Sequence, residues 1–124
     1  MAETVITNMN EEKLAWLGLR EIYRLLGTTD GNNVVRLLLL EKSIRTNELI
    51  AKSGIPPARF HVLMKALVLC QVVDRKVHDD RSVSYSISPF GRNVLELSEA
   101  LLHKIKEAVK HKDSALLTVI QRKG

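Results

Sequence analysis

The spacing of apolar residues changes in the middle of the chain, and this change restricts the possible folds more than any other feature. From Pro57 to about Leu69 the apolar residues recur at helical intervals, and the inward stripe comprises Phe60, Leu63, Met64 and Leu67. From Val73 to Ile87 apolar and polar residues alternate on both sides of His78–Arg81, as in two strands of a β-hairpin. The tip contains no glycine, which favours a turn longer than two residues.

Two further helices are predicted before this segment. Gly27–Gly31 is interpreted as a break, after which Asn32 or Asn33 caps a helix over Val34–Lys42. That helix is apolar nearly all round, so we expect it to be central and buried on several sides. A third helix is predicted from Thr46 to Gly54, directly before a turn with two prolines.

Long amphipathic helices are predicted at both ends of the chain. The first runs from Asn10 to Leu26, with Asn8 and Glu11 as the expected capping pair. The last opens at Ser88-Pro89, and Ser114–Ile120 either extends it or forms a separate segment. Each helix has two adjacent apolar stripes, which is more than one packing partner needs.

The excess of positive charge lies in the middle of the chain. The 124 residues carry a formal net charge of +5, and residues 43–92 hold eight basic against four acidic side chains. This distribution is expected where a protein meets a polyanion, although an ordinary solvated surface is the alternative. One cysteine precludes an internal disulfide, and residues 1–8 show no signal-peptide pattern, so a cytoplasmic, nucleoid-associated protein is expected.

The order of these elements resembles the winged helix-turn-helix regulators of the ArsR and MarR type. The resemblance lies in Ser53–Arg75 (SGIPPARFHVLMKALVLCQVVDR) and Val83–Glu96 (VSYSISPFGRNVLE), which includes the entry Ser88-Pro89-Phe90-Gly91-Arg92 into the last helix. It covers roughly residues 34–102, and the length and flanking helices are similar to the small archaeal Lrs-type regulators. The implied fold is mainly α with a small β-hairpin wing, flanked by long dimerisation helices at both termini.

The resemblance implies a homodimeric transcriptional regulator that binds double-stranded DNA. The helix over 57–69 would enter the major groove, and the basic wing over 72–88 would lie on the backbone or in the minor groove. Carried over position by position, the candidate DNA-binding residues are Thr46, Asn47, Pro57, Ala58, Arg59, His61, Val62, Lys65, Lys76 and Arg81, with His78 as a further possibility on the wing.

The exposed face of the predicted recognition helix is poorly suited to reading bases. With the apolar stripe inward, Ala58, Val62 and Lys65 point outward and Arg59 and His61 lie on the flanks. Two small apolar groups can contact a thymine methyl but distinguish little else. We therefore expect phosphate contacts and duplex shape to supply much of the affinity, with modest sequence discrimination.

The apolar faces of the terminal helices predict a C₂ dimer, with a monomer bearing amphipathic surface helices as the alternative. The expected interface residues are Trp16, Leu19, Tyr23, Leu97, Leu101, Ile105 and Ala108. In such a dimer the recognition helices would lie about 34 Å apart, or a multiple of it. The expected organisation is a flexible N-terminus (1–9), a dimerisation helix (10–27), a DNA-binding domain (30–88) and a C-terminal dimerisation helix with its tail (89–124).

No metal, cofactor or catalytic machinery is expected. His103, Glu107 and His111 share a helix face that could hold zinc, but neighbouring lysines oppose a cation there. Cys70 is interpreted as a small core residue, and no catalytic motif is present, so the chain is not expected to be an enzyme. The alternating serines of the second wing strand are either its solvent face or phosphorylation sites.

Two alternatives to a specific regulator remain. The first is an architectural DNA-coating protein with weak sequence preference. The second is a winged-helix protein-interaction module of a polymerase or replication assembly, which would use the surface around Val62 and Leu69. Val68 and Leu69 would otherwise be expected to pack under the wing.

Overall fold

The computed structural model describes residues 10–111 and 115–123. Within these residues the helices are α1 (Glu11–Leu26), α2 (Thr29–Leu40), α3 (Thr46–Ser53), α4 (Pro57–Leu69), α5 (Pro89–Lys110) and α6 (Ala115–Lys123). The strands are β1 (Ile44–Arg45), β2 (Val73–Val77) and β3 (Val83–Ile87). The described chain is therefore mainly helical with one small sheet, as predicted, and its described residues divide into two compact units, one up to Gly91 and one from Arg92 onward.

The first helix begins one residue after its cap, Asn10. The Asn10 side-chain oxygen accepts a hydrogen bond from the Lys13 backbone N–H at 2.7 Å, which satisfies one of the free donors of the first turn. The capping pair predicted with Asn8 is therefore wrong, and Asn8 itself lies outside the described residues. Two asparagines two positions apart carry the same local signal, and the second of them caps the helix.

The second helix begins five residues earlier than predicted, at Thr29. Thr28 is its cap, and its hydroxyl accepts from the Gly31 backbone N–H at 3.0 Å. Gly31 lies inside the first turn, where a Cβ atom would stand 2.1 Å from the carbonyl oxygen of Leu25. This glycine therefore permits a close approach between the end of α1 and the start of α2, and it does not break a helix.

The core of the first unit lies between α2, α3, α4 and the sheet. Its fully buried side chains include Val34, Leu38, Ile44, Leu49, Phe60, Met64, Leu67, Val72 and Val73. The Phe60 ring meets the Tyr85 ring edge to face at a centroid distance of 6.4 Å, which joins α4 to the sheet. The inward stripe predicted for α4 is confirmed, since all four of its members are buried.

The sheet is antiparallel with the order β1-β3-β2. The hairpin of β2 and β3 is present as predicted, and its register places Val73 opposite Ile87 and Val77 opposite Val83. The short strand β1 was not predicted, because two residues are too few to show an alternating pattern. It pairs Ile44 with Tyr85 and so makes β3 the central strand.

Two serines of the second wing strand and its C-terminal end, Ser84 and Ser88, do not face solvent. Ser84 is buried, and a hydrogen bond of 2.8 Å joins its hydroxyl oxygen to Nε2 of His78. Ser88 is also buried, and its hydroxyl donates to the Gln71 carbonyl oxygen and accepts from the Gly91 N–H. The interpretation of these two serines as exposed wing positions is therefore wrong, and a kinase could not reach either hydroxyl in this conformation.

The second unit contains most of α5 and the helix α6. The segment for which the sequence left two possibilities lies largely in α6, which begins at Ala115 as a helix of its own. In the parts of the chain that the structure describes, no helix combines the length and apolarity needed to cross a membrane.

Candidate nucleic-acid interface

Helices α3 and α4 form a helix-turn-helix pair. Gly54 ends α3 with φ of 69°, in the left-handed region that favours glycine, and its N–H donates to the Ile50 carbonyl oxygen. Pro56 and Pro57 then set the entry into α4, where a proline loses no intrahelical hydrogen bond. The turn thus leaves Pro57, Ala58 and Arg59 exposed at the start of α4, while Phe60 is buried in the core.

The candidate residues on α4 all lie on its exposed side. Pro57, Ala58, Arg59, His61, Val62 and Lys65 are solvent-exposed, whereas the intervening apolar stripe is buried. Val62 is 72% exposed. The outward face is therefore as poor in base-reading groups as the sequence indicated.

The end of α4 differs from expectation. Val68 is partly buried and packs against the core, as predicted. Leu69, by contrast, is 73% exposed, so the prediction that it packs under the wing is wrong. The helix ends at Leu69, and the chain then turns through Gln71, whose φ is 64°. Leu69 consequently stays on the outer side of α4, two turns from Val62.

Arg59 makes a two-point ion pair with Asp30, which was not predicted from the sequence. Its Nε donates to one carboxylate oxygen of Asp30 at 2.6 Å, and Nη2 donates to the other at 3.3 Å. Asp30 lies in the first turn of α2 and is 29 residues away in sequence. No local signal could have revealed this pair, because it depends on the packing of α2 beside α4.

A basic cavity of about 550 Å³ lies between the start of α3, the middle of α4 and the wing. Its positively charged lining comprises Arg45, Arg75 and Arg81, and the other lining residues are Thr46, Asn47, Glu48, His61, Ser82, Val83 and Tyr85. Arg45 and Arg75 were missed from the sequence, although the excess of basic residues in this region indicated that such residues exist. The two arginines line the same cavity because β1 and β2 both pair with β3.

Thr46 and Asn47, the two candidate DNA-binding residues at the start of α3, differ in whether their side chains are free to bind DNA. The Thr46 hydroxyl donates to the Val83 carbonyl oxygen at 3.0 Å, so its proton is already used within the protein. It retains only acceptor capacity and the backbone N–H of a helix N-terminus. Asn47 is exposed. In this conformation the Thr46 hydroxyl therefore has no proton left to donate to a phosphate, and the place of Thr46 among the candidate DNA-binding residues stays a prediction.

A small hydrogen-bond network holds the tip of the wing. Arg45 donates to the Ser82 hydroxyl oxygen at 2.6 Å and to Asp80 at 3.3 Å. Asp80 also accepts from the Ser82 hydroxyl at 2.6 Å and from its backbone N–H at 3.1 Å. These bonds, those from Ser82 foremost, lower the pKa of Asp80 to about 2. Arg81 follows with φ of 67° and remains exposed, as does Lys76.

The terminal helices carry exposed apolar side chains in both units. On α1, Trp16 is 65% exposed, and Leu19 and Tyr23 are also exposed. On α5, Leu97 is 69% exposed, Leu101 is exposed, and Ile105 and Ala108 are partly exposed. The seven predicted dimer residues are thus accessible in the single chain.

The cysteine and the histidines that could take part in redox or metal chemistry remain to be placed in the structure. Cys70 is partly buried against the core, and burial raises the pKa of its thiol. His103, Glu107 and His111 lie on α5, and within the described residues no group of three potential ligands converges to hold a metal ion.

Comparison with known proteins gives matches at the level of structure. No protein-family model matches the sequence, and no curated protein matches it either. Among solved structures, Rv0081 of M. tuberculosis superposes with a TM-score of 0.61 at 19% identity, over 75% of this chain and 94% of that one.

Two further structures match over a similar extent. An ArsR family transcriptional regulator has a TM-score of 0.56 at 15% identity, over 73% of this chain and 92% of that one. A protein from Enterococcus faecalis V583, described as a regulator of the MarR family, has a TM-score of 0.64 at 16% identity, over 85% and 94%. With the helix-turn-helix, the three-stranded sheet and the hairpin in place, the chain has the winged-helix fold seen in ArsR- and MarR-type transcriptional regulators.

Proposed function

We propose that this protein is a homodimeric, winged-helix DNA-binding transcriptional regulator. In this proposal α4 enters the major groove, and the wing over 72–88 contacts the backbone or the minor groove. The basic cavity carries the proposal, because its lining joins the start of α3, His61 of α4 and the wing residues Arg75 and Arg81 on one side of the first unit. A duplex that meets this side would contact all three elements together.

The charges on this side favour backbone contacts. Lys65 on α4 and Arg81 on the wing are exposed on this side, as is Arg45, which lines the cavity. Lys76 is also exposed on the wing, but it follows Arg75 in β2 and therefore points to the other face of the strand. Each cation that pairs with a phosphate releases counterions, so the affinity should depend strongly on salt. Ala58 and Val62 offer only apolar contacts to base edges, which supports modest sequence discrimination.

The proposed regulator is not an enzyme, which agrees with the description of the matched structures as transcriptional regulators. The proposed organisation is an N-terminal segment (1–9), a first dimerisation helix (10–27), a DNA-binding domain (30–88) and a second dimerisation helix with its tail (89–124). Binding to chromosomal DNA would place the protein in the cytoplasm with the nucleoid.

The decisive test is a salt titration of duplex binding. Gel-shift or anisotropy measurements would compare random-sequence DNA with promoter-proximal DNA from the protein's own locus. We expect log K to fall linearly with log salt, with a preference for the promoter DNA below about 10⁵-fold. An affinity that does not change with salt contradicts DNA binding. Footprinting distinguishes an operator-bound regulator from an architectural protein, which would protect long stretches without a defined site.

The dimer is tested separately by sedimentation equilibrium. Because Leu97 is 69% exposed in the single chain, Leu97→Glu should leave the monomer folded and remove apolar area from the interface. Leu40→Glu is the matched control, since Leu40 is 83% exposed and lies outside the proposed interface. We expect the first variant to raise the dimer dissociation constant at least tenfold and the control to leave it unchanged. Equal behaviour of the two variants contradicts this interface.

One observation favours a second candidate function, a protein-interaction module. Val62 and Leu69 are both more than 70% exposed, at 72% and 73%, on the outer face of α4. A partner protein would bury them, whereas DNA phosphates would not. This candidate predicts no salt-sensitive affinity for duplex DNA, together with a protein partner whose binding is lost in Val62→Asp.

A further inference from the structure

The ion pair of Arg59 with Asp30 has a position that bears on DNA recognition. Arg59 lies in the first turn of α4, the proposed recognition helix, and its side chain is 63% exposed. Asp30 lies in the first turn of α2, and its side chain is 27% exposed. The Asp30 carboxylate is thus less exposed than the Arg59 guanidinium that it holds by two hydrogen bonds.

The geometry of the pair leaves most of the guanidinium free. An arginine side chain has five N–H donors, and the contacts with Asp30 use the one on Nε and one on Nη2. Both donors on Nη1 and the second donor on Nη2 remain. These form the end-on fork that suits two adjacent acceptors, such as guanine O6 and N7. Asp30 therefore orients Arg59 without occupying its outer edge.

The pair is a weak candidate for a purely structural role. Ion pairs between exposed side chains contribute little to stability, because solvent screens the charges and both side chains lose freedom. The Asp30 carboxylate nevertheless offsets one positive charge on the face where phosphates would bind. For Arg59 to pair closely with a phosphate at a random position, the guanidinium must rotate away from Asp30 or bring the phosphate near a second negative charge.

We propose that Asp30 is a specificity-determining residue, which holds the Arg59 guanidinium at the start of α4 and weakens its pairing with DNA phosphates. The pair then favours DNA contacts in which the Arg59 guanidinium keeps its orientation. It weakens contacts with phosphates for which the guanidinium would have to rotate away from Asp30. This inference rests on the proposed DNA-binding function. It assigns to α2, which contributes no candidate DNA-binding residue, a part in selecting the DNA.

The test measures affinity for random-sequence duplex over a range of salt concentrations. Asp30→Asn keeps the shape of the side chain and removes its charge, so Arg59 becomes free to contact phosphate. We expect about fivefold tighter binding near 0.1 M salt and a slope of log K against log salt that is steeper by about one unit. The preference for promoter DNA over random DNA should fall by a similar factor.

Two further variants isolate the pair. Glu41→Gln is the matched control, because Glu41 follows the opposite end of α2, pairs with Lys52 at 2.6 Å and changes the net charge equally when neutralised. It should leave the slope unchanged. When Asp30→Asn is combined with Arg59→Ala, the substitution of Asp30 should bring no gain in DNA affinity. Asp30→Ser, which also suits the first turn of a helix, repeats the test should the asparagine variant fold poorly, and circular dichroism reports the fold of each variant.

The outcomes distinguish the inference from the proposed function. Salt-dependent DNA binding by the wild-type protein with no steeper slope in Asp30→Asn overturns the inference alone. A gain of equal size in Glu41→Gln, or one that persists without Arg59, also overturns it, because the effect would then come from net charge. The absence of salt-dependent binding by the wild-type protein overturns both.

Discussion

Gly91 lies directly against the backbone of Val72, and a Cβ atom built at position 91 would stand 2.1 Å from the Val72 carbonyl oxygen. The same oxygen accepts a hydrogen bond of 3.1 Å from the Ser88 N–H, and the Ser88 hydroxyl accepts from the Gly91 N–H at 2.8 Å. These contacts join the residue before β2 to the first turn of α5. They anchor the base of the wing.

A methyl group at position 91 should therefore destabilise the first unit. We expect Gly91→Ala to lower the free energy of unfolding by about 1–3 kcal/mol, because backbone atoms cannot move aside as a flexible side chain can. Urea unfolding followed by circular dichroism measures this change. Gly18→Ala is the control, since nothing lies within 4 Å of a Cβ there and alanine favours a helix interior by about 0.5–1 kcal/mol. A Gly91→Ala variant as stable as the wild type contradicts the close packing.

Arg81 is expected to contribute affinity without sequence preference. It is exposed at the wing tip and borders the basic cavity, which suits a phosphate contact. Arg81→Ala should weaken binding to all sequences alike and flatten the salt slope by about one unit. Arg20→Ala removes the same charge from α1 and should leave the slope unchanged. An altered base preference in Arg81→Ala would show that Arg81 reads sequence.

The acid titration of Asp80 should report the wing-tip network. Its pKa of about 2 lies below the ordinary value of 3.8, chiefly because of the hydrogen bonds from Ser82. A carboxylate with a lowered folded pKa stabilises the fold above its unfolded pKa, and this contribution is lost as the pH falls from about 4 towards 2. NMR titration of the carboxyl carbon measures the pKa directly. Ser82→Ala should raise it more than Arg45→Ala does, and the reverse order would contradict the network.

The thiol of Cys70 should react slowly in the folded protein. Burial raises its pKa, and the carboxylate of Glu21 raises it further, so less thiolate is present at neutral pH. Reaction with a thiol reagent at pH 8 should be at least tenfold slower in the native protein than in guanidinium chloride. Glu21→Gln should accelerate the native reaction by a smaller factor. A fast native reaction would instead support a redox-sensing role.

Periodicity predicted most of the fold, because burial on one side of an element leaves a pattern in the chain. The inward stripe of α4 and the alternation from Val73 to Ile87 led to the helix and the hairpin, which the structure confirms. The interpretation of Gly27–Gly31 as a break, by contrast, placed the start of α2 wrongly. Gly31 suits a turn and also suits a close approach of two backbones, and only the position of Leu25 decides between these.

The candidate interface was predicted in outline. The α4 candidates and the wing lysine and arginine are exposed as expected, whereas Arg45 and Arg75 were missed and Leu69 does not pack under the wing. The missed arginines have no distinctive sequence neighbours. They share one cavity because β3 pairs with strands on both sides, and its pairing with β1 joins Ile44 to Tyr85, which are far apart in the sequence.

The order of the sequence therefore determined which segments are helices and strands, which of their faces are apolar and where the positive charge is concentrated. These properties are local, since they follow from the side chains within a few turns or strand positions. The tertiary structure decided which charges meet, that Arg59 is held by Asp30, that Arg45 holds Asp80, and that Ser84 and Ser88 are buried. Such contacts depend on the packing of distant segments, and no local pattern encodes them.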